Sequence, residues 1–163
     1  MSVESKLLDD VSWKILELLQ QNARLPYSEI GRQVGLSAPA VAERVRRMEE
    51  AGVIRGYRAD IDPGQLGYTL EVFIRAEITH SNHEAAIRYI SQLPNVLEFW
   101  NLTGRDGYLI RAVFRSVQEL EQMLNQRLGV YGTTTTALVL SKPVAFRVLN
   151  KEQGGFSEES KRL

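Results

Sequence analysis

The sequence predicts an α+β protein with two domains, of which the first is helical and the second combines strands with helices. Apolar residues recur every three or four positions up to residue 52, and from residue 68 the period of the pattern changes to two. Between these parts, Pro63-Gly64-Gln65-Leu66-Gly67 has the composition of a break between domains. We therefore expect domains at 1–62 and 63–149, followed by a C-terminal tail at 150–163.

Composition narrows the class of protein. The 163 residues are 44% hydrophobic and 25% charged, which is typical of a soluble globular protein. Neither a long apolar run nor a signal peptide is present, so we expect a cytoplasmic protein without a membrane partner. The absence of cysteine excludes disulfides and thiolate chemistry. Because the formal net charge is zero, any binding of DNA must come from a local patch, multiplied by oligomerisation.

Three short helices are predicted in the first domain. Asp9 is placed to cap a helix that ends near Gln21, with Val11, Ile15 and Leu18 or Leu19 buried. A second helix is expected at 27–34, after which Gly35 makes a tight turn. Two helices joined by about four residues including a glycine match the helix-turn-helix pattern of DNA-binding proteins.

The third helix, within residues 36–52, has both ends marked. Ser37 is suited to cap its start, and Gly52 to end it in the left-handed conformation. One face is an apolar stripe for the core, whereas the opposite face begins with small residues and continues with arginines, an arrangement that can enter a DNA major groove. The stripe comprises Val41, Val45 and Met48, and the outer face comprises Pro39, Ala40, Glu43, Arg46, Arg47 and Glu50.

The alternative is a merely solvated outer face, held by Glu43–Arg47 and Arg46–Glu50 ion pairs at i, i+4. The short turn before this helix favours the DNA-binding interpretation.

The choice between DNA contact and a solvated surface also applies to the next segment, 53–62, which alternates weakly and is predicted to be a strand. Its Arg55 and Arg58 either contact phosphates or belong to a solvated linker.

The second domain is predicted to be a ferredoxin-like β-α-β-β-α-β fold, in which two helices cover one face of the sheet. The other face keeps apolar residues, namely Phe73, Trp100 or Phe99, and Val113, which favours a homodimer formed through the sheets. The expected elements are a strand at 68–78, a helix from Ser81 or Asn82 to about Leu93, strands at 96–102 and 108–114, a helix at 117–128 and a strand at 133–140.

Two polar clusters contain side chains that are capable of chemistry. His80 and His83 with Glu84 lack a further clear metal ligand and are interpreted as surface polar residues. The threonines at 133–136 suit a strand, and no histidine lies near them in sequence to act as a base. We therefore predict no catalytic residues, metal or cofactor, and a protein that is not an enzyme.

Short motifs at fixed spacings along nearly the whole chain resemble the Lrp/AsnC (leucine-responsive, feast/famine) transcription regulators. They are Leu8-Asp9, Ile15-Leu16, Leu19, Ala23-Arg24-Leu25, Glu29-Ile30, Val34-Gly35-Leu36-Ser37, Arg44-Val45, Met48-Glu49, Gly52-Val53-Ile54, Asp62-Pro63, Leu66-Gly67, Pro94-Asn95-Val96, Thr103-Gly104 and Thr136. The resemblance implies a DNA-binding domain followed by a ligand-responsive domain. It also implies dimers that often assemble into octamers, which bend or wrap double-stranded DNA and respond to amino acids.

Residue by residue, the resemblance implies DNA contacts in the third helix and an effector pocket near the turn at 103–108. The DNA candidates are Ser37, Ala38, Pro39, Ala40, Glu43, Arg44 and Arg47, to which the pattern of the sequence adds Arg46, Arg55 and Arg58. The effector candidates are Thr103, Gly104, Arg105, Asp106, Gly107, Tyr108, Thr134 and Thr136.

One departure from the family concerns the effector. Many members have an acidic residue just before the tyrosine of this turn, where it suits an ammonium group, but this chain has Gly107. Asp106 lies one residue earlier and points differently in a turn, and Arg105 brings the opposite charge. Either the effector differs, or the protein acts through DNA architecture alone.

The leading hypothesis is a sequence-specific, nucleoid-associated transcription regulator with an amino acid as its candidate effector. One alternative is an architectural protein that compacts DNA without an effector. Another is a small-molecule-binding or enzymatic ferredoxin-like dimer, although the C-terminal half lacks a credible acid–base or metal set.

Overall fold

The computed structural model describes residues 7–78, 83–104 and 107–152, without the side chains of residues 126 and 127. The chain forms two compact units, which contain the described parts of 1–59 with 144–163, and of 60–143. The boundaries thus fall at 59/60 and 143/144, whereas the sequence suggested 62/63 and 149/150. Residues 144–149 lie with the N-terminal helices because the backbone of Leu149 is hydrogen-bonded to Gln20 there.

The N-terminal unit contains the three predicted helices, α1 (Asp10–Gln21), α2 (Tyr27–Val34) and α3 (Ala38–Glu50). Asp9 caps α1 by accepting a 2.8 Å hydrogen bond from the backbone of Ser12, and Ser37 caps α3. Both of the leucines between which the sequence left a choice are buried. The core consists of Ile15, Leu18, Leu19, Ile30, Val41, Val45 and Met48.

The turn between α2 and α3 depends on two glycines. Gly35 ends α2 with a φ of +72°, which glycine adopts readily. Gly31 lies inside α2, and a Cβ atom there would be 2.3 Å from the carbonyl oxygen of Leu36. The close approach of the backbone at Leu36 to α2 therefore requires glycine at position 31 as well.

The strand predicted at 53–62 is not formed. These residues follow α3 as an exposed, irregular segment. Alternation alone cannot make a strand, since its backbone groups need a neighbouring strand to pair with, and none of the strands in the described residues pairs with this segment.

The C-terminal unit has the predicted ferredoxin-like order of elements. Its sheet has the strand order β2-β3-β1-β4 with antiparallel neighbours. The elements are β1 (Leu70–Ile78), α4 (His83–Ile90), β2 (Val96–Asn101), β3 (Tyr108–Phe114), α5 (Val117–Gln122) and β4 (Gly132–Leu138). Residues of α4 and of the turn after α5 pack into one cluster with Val72, Ile74 and Ile110, so both helical segments cover the same face of the sheet.

The second helix of this unit differs from the prediction of a regular helix at 117–128. After Gln122 it continues as a π-helical turn, Met123–Leu128. Because the π-helix brings residues five apart onto one face, Met123 and Leu128 are buried together, while Val117, expected to face the core, is 64% exposed.

The face of the sheet opposite the helices, hereafter the open sheet face, is partly apolar. Strand pairing places Trp100 beside Leu109, whereas Phe99 pairs with Ile110 and packs against the core. This difference resolves the choice between Trp100 and Phe99. It arises from a bulge between Val96 and Glu98, which shifts the alternation of β2 by one residue.

An ion-pair cluster lies at the centre of the open sheet face. Arg111 Nε is 2.5 Å from Glu71 Oε1, and Arg111 Nη1 is 3.5 Å from Glu98 Oε1. Arg111 also pairs across the strands with Phe73, which in turn pairs with Ala137. The face therefore mixes a charged centre with apolar neighbours. None of the helices in the described residues is long and apolar enough to cross a membrane.

Candidate nucleic-acid interface and ligand site

The outer face of α3 starts with short side chains. Ser37 Oγ accepts from the backbone of Ala40 at 3.4 Å, which fixes the first turn. Pro39 is exposed, and Ala38 and Ala40 are half-buried. Short residues at the start of the helix leave room for close approach to base edges, which is how a recognition helix enters the major groove.

The arginines of α3 differ in their partners. Arg46 is held between Glu43, at 2.7 Å, and Glu50, and these carboxylates raise the pKa of its guanidinium. The predicted Arg46–Glu50 pair is thus present, but Glu43 pairs with Arg46 at i, i+3 and not with Arg47. The Arg47 side chain is exposed and makes no hydrogen bond or ion pair with any described residue. Its charge acts on Glu43 only at longer range, where it helps the hydrogen bond from Arg46 to lower the pKa of that carboxyl. Its charge is therefore available for an external anion.

Arg44 lies in a different environment from the other two. Its Nη1 donates at 2.9 Å to both carboxylate oxygens of Asp9 and at 2.9 Å to Ser12 Oγ. Partial burial tends to raise the pKa of the Asp9 carboxyl, but the hydrogen bonds from Ser12 and Arg44 outweigh it, and the pKa lies below its usual value. Arg44 thus joins α3 to the start of α1, which makes it a structural residue of the unit.

The segment after α3 is anchored by a contact that the sequence did not indicate. The Tyr57 hydroxyl donates to Glu49 Oε1 at 2.9 Å, and burial together with this carboxylate raises the pKa of Tyr57. Arg55 and Arg58, on either side of Tyr57, are exposed. The anchor therefore keeps two exposed cations close to the last turn of α3.

The candidate effector site is centred on the turn between β2 and β3. Thr103 and Gly104 are exposed, and Arg105 and Asp106 lie outside the described residues. Gly107 has a φ of +45°, a conformation that side chains disfavour. The backbone at the position usually acidic in the family is thus one that favours glycine here.

Tyr108 follows this turn directly, as the first residue of β3. It is 4% exposed, and its hydroxyl is 2.7 Å from Nδ1 of His83, at the start of α4. The interpretation of His83 as a surface polar residue is therefore wrong, because the side chain is half-buried and hydrogen-bonded. No feature of the sequence linked these two residues, which are 25 positions apart.

Strand register brings part of the candidate effector set together. Tyr108 pairs with Ala76, and Ala76 lies between residues that pair with Thr133 and Thr135. Tyr108 and Thr134 therefore occupy one cross-strand row, two strands or about 10 Å apart. Thr136 pairs with Ile74 and lies in the next row on the same face.

Neither unit shows a metal centre in the part of the chain that the structure describes. No group of three or more histidine, aspartate or glutamate side chains in that part is arranged to hold an ion. His80 lies outside this part.

Comparison with known families matches both units. The model of the AsnC-type helix-turn-helix domain matches residues 8–49, and that of the Lrp/AsnC ligand binding domain matches residues 71–149. The first match covers α1, α2 and α3 except for Glu50, and the second covers the four-stranded sheet except for Leu70.

Individual proteins agree with this assignment. The chain is 40% identical to YezC of Bacillus subtilis, an uncharacterised HTH-type transcriptional regulator, over 82% of this chain and 94% of the relative. It is 32% identical to the regulatory protein AsnC of Escherichia coli K12, over 87% and 96% of the two chains.

Solved structures are similar over the same extent. The E. coli AsnC structure superposes with a TM-score of 0.77 at 32% identity, over 86% of this chain and 97% of that chain. A transcriptional regulator of Neisseria meningitidis in complex with L-Met superposes with a TM-score of 0.81 at 28% identity, over 87% and 96%. Both family models and these relatives place the chain in the Lrp/AsnC family of helix-turn-helix transcription regulators.

Proposed function

We propose that this regulator binds double-stranded DNA as a homodimer, with the outer face of α3 in the major groove, and that an amino acid adjusts its assembly. The availability of Arg47 carries the DNA-binding part of the proposal. Of the three arginines on α3, Arg44 and Arg46 already have carboxylate partners, whereas Arg47 has none in the described chain. A free guanidinium on an exposed helix face is suited to guanine edges or phosphates.

The remaining contacts follow from this placement of Arg47. The short residues from Ser37 to Ala40 approach the bases, while Arg55 and Arg58 bind phosphates beside the groove. Arg46 contributes after its pairs with Glu43 and Glu50 rearrange, and Arg44 acts mainly by holding α3 in place. Phosphate contacts of this kind position the protein, and base contacts specify the sequence.

The open sheet face supports homodimerisation. It combines Trp100, which is 37% exposed, with the half-buried Phe73 and Leu109. A partly apolar sheet surface that helices leave uncovered is a typical association surface. Because the net charge of the chain is zero, one unit alone binds DNA weakly, and dimers or octamers supply the missing affinity through multivalency. The protein then acts in the cytoplasm, on the nucleoid.

The C-terminal unit supports the response to an amino acid. Residues 71–149 match the model of a ligand binding domain, and the structurally similar regulator of Neisseria meningitidis was solved with L-Met. In this chain the backbone at Gly107 favours glycine, so a carboxylate there does not take part, and the ammonium group needs another acceptor. The ligand adjusts DNA binding by favouring the assembly state to which it binds more tightly.

The proposal is tested by measuring assembly and DNA protection together. Light scattering of the full chain, with and without a panel of amino acids, is expected to give a dimer or octamer whose mass or size one amino acid changes. Footprinting on promoter DNA is expected to give discrete protected sites. A monomer, no protection of promoter DNA, or no response to any amino acid would each overturn the corresponding part, and long phased protection would favour the architectural alternative.

A further inference from the structure

The residues after β4 return to the N-terminal unit. The described part of the chain ends with residues 144–152, here called the C-terminal strap, which belong to the same compact unit as α1. The Gln20 side chain both donates a hydrogen bond to the backbone of Leu149 and accepts one from it. Gln20 Nε2 donates to the Leu149 carbonyl at 2.9 Å, and the Leu149 N–H donates to Gln20 Oε1 at 3.0 Å.

A second contact holds the strap near the other end of α1. Lys151 forms an ion pair with Asp10, in the first turn of the helix. The strap and α1 also line a common cavity of about 420 Å³, with Trp13 in its wall and Asn150 on the strap side. The strap is thus fixed by a backbone-directed amide and an ion pair, although its own residues form no helix or strand.

The strap gives the chain a second connection between its two units. The first connection is made by the segment after α3, between Ala59 and Asp60, and the second lies between Pro143 and Val144. Only five residues, 139–143, separate the end of β4 from the strap, which limits their span to roughly 18 Å. A unit tethered at two points has less orientational freedom than one tethered at one point.

Whether the two units are joined by one connection or by two affects DNA binding by a dimer. Two recognition helices must reach major grooves about one helical turn apart, and the entropy of ordering both units opposes binding. Tyr57 is anchored to Glu49, but residues 58–62 of the first connection are irregular and exposed, so this connection by itself leaves the N-terminal unit more orientational freedom than two connections do. A docked strap already restricts the orientation of the N-terminal unit in the free protein, so less orientational entropy is lost when DNA binds.

We propose that the C-terminal strap is a second tether that orients the helix-turn-helix unit for DNA binding, and that Gln20 is its positioning residue. This proposal rests on the proposed function, because it assumes that dimers bind two half-sites. Since β4 also carries Thr134 and Thr136, the strap connects the candidate effector site to α1 by continuous chain.

The test compares Gln20→Leu with Gln21→Leu in the full chain. Gln21 is the next residue of α1, is exposed, and its side chain makes no hydrogen bond with the described residues, so its variant is a matched control. Hydrogen exchange of residues 144–152 reports docking of the strap without DNA. Affinity is measured with a duplex that the wild-type chain selects from random sequence, and with a duplex carrying one half of that site.

We expect Gln20→Leu to accelerate exchange in the strap by about tenfold. It should weaken binding to the full site by about tenfold, but binding to the half-site by less than about twofold. Gln21→Leu should change none of these quantities. Unchanged exchange would show that Gln20 does not hold the strap. Faster exchange with unchanged affinity for the full site would show that the strap does not orient the unit, and either result overturns the proposal.

A second pair of variants guards against a folding defect in Gln20→Leu. Lys151→Glu places two like charges together and should loosen the strap, so that exchange in residues 144–152 accelerates by a few-fold, whereas the double variant Asp10→Lys with Lys151→Glu should return exchange and affinity for the full site toward their wild-type values. Failure of this rescue would also overturn the proposal. If the wild-type chain selects no duplex, the proposed function itself fails, while the exchange measurement still reports whether the strap is docked.

Discussion

Arg44 of α3 donates from Nη1 to both carboxylate oxygens of Asp9, the residue that caps α1. One carboxylate therefore satisfies the first turn of α1 and binds the recognition helix. This relationship separates Arg44 from Arg46 and Arg47, although the three lie within four positions of one helix. Their different partners lead to different expectations for each substitution.

Arg47→Ala is expected to lower affinity for DNA by about tenfold and to reduce the salt dependence of binding. Arg46→Ala, the matched control on the same face, should lower it by less than about threefold, since the Arg46 charge is already paired with Glu43 and Glu50. Fluorescence anisotropy at several salt concentrations measures both quantities. Equal losses for the two variants would contradict the assignment of Arg47 as the available arginine.

Arg44→Met is expected to destabilise the N-terminal unit by about 1 kcal/mol, a value reduced for screening because both side chains of the pair are partly exposed. Urea unfolding of Arg44→Met, Asp9→Asn and the double variant measures the coupling between the residues. Strictly additive losses would mean that the Arg44–Asp9 pair does not stabilise the fold.

The lowered pKa of Asp9 gives the stability a pH dependence of known sign. A carboxyl whose pKa is lower in the folded state contributes stability that is fully present above its unfolded pKa, about 4, and is lost as the pH falls through the folded value. The wild type should therefore exceed Asp9→Asn in stability at pH 6, and the difference should shrink between about pH 4 and pH 2. A difference that grows as the pH falls over this range would contradict the lowered pKa of Asp9 in the folded state.

Gly107→Asp is expected to lower stability by about 1 kcal/mol, because its φ of +45° disfavours a side chain. It should also tighten binding of an amino acid, since the new carboxylate can accept hydrogen bonds from the ammonium group. Gly107→Asn makes the same demand on the backbone without the charge and serves as the control. Thermal melting and calorimetry measure the two effects, and equal ligand affinities for both variants would exclude a role for charge at this position.

Trp100→Glu should convert dimers to monomers, because it places a charge on the open sheet face. Leu102→Glu is the control, since Leu102 is similarly exposed, at 44% against 37%, but follows the end of β2. Light scattering over a concentration series distinguishes the variants. Dimers that persist in Trp100→Glu would exclude the open sheet face as the interface.

Gly31→Ala is expected to destabilise the N-terminal unit by about 2 kcal/mol or more, because its Cβ would approach the Leu36 carbonyl oxygen to 2.3 Å. Gly52→Ala tests the effect of backbone strain alone, since a Cβ there meets nothing within 4 Å and only the positive φ disfavours a side chain. Circular-dichroism melting should show the larger loss for Gly31→Ala. A smaller loss at Gly31 would mean that the backbone of the turn moves to accommodate the methyl group.

The sequence alone determined the elements whose signals are local. Asp9 and Ser37 mark helix starts because a cap satisfies backbone groups within three residues, and Gly35 marks a turn because of its own φ. The alternation from Leu70 to Ile78 similarly fixed a strand and its buried face. These features depend on hydrogen bonds and periodicity over a few positions, so they are visible without the fold.

Only the tertiary structure decided which side chains are available and which are already bound. The Arg44–Asp9 pair spans 35 positions and the Gln20–Leu149 pair spans 129, and no local pattern marks either. Likewise, the bulge in β2 places Trp100, and not Phe99, on the open sheet face. These outcomes depend on how elements pack against one another, since an ion pair or a strand register exists only once both partners have been brought together.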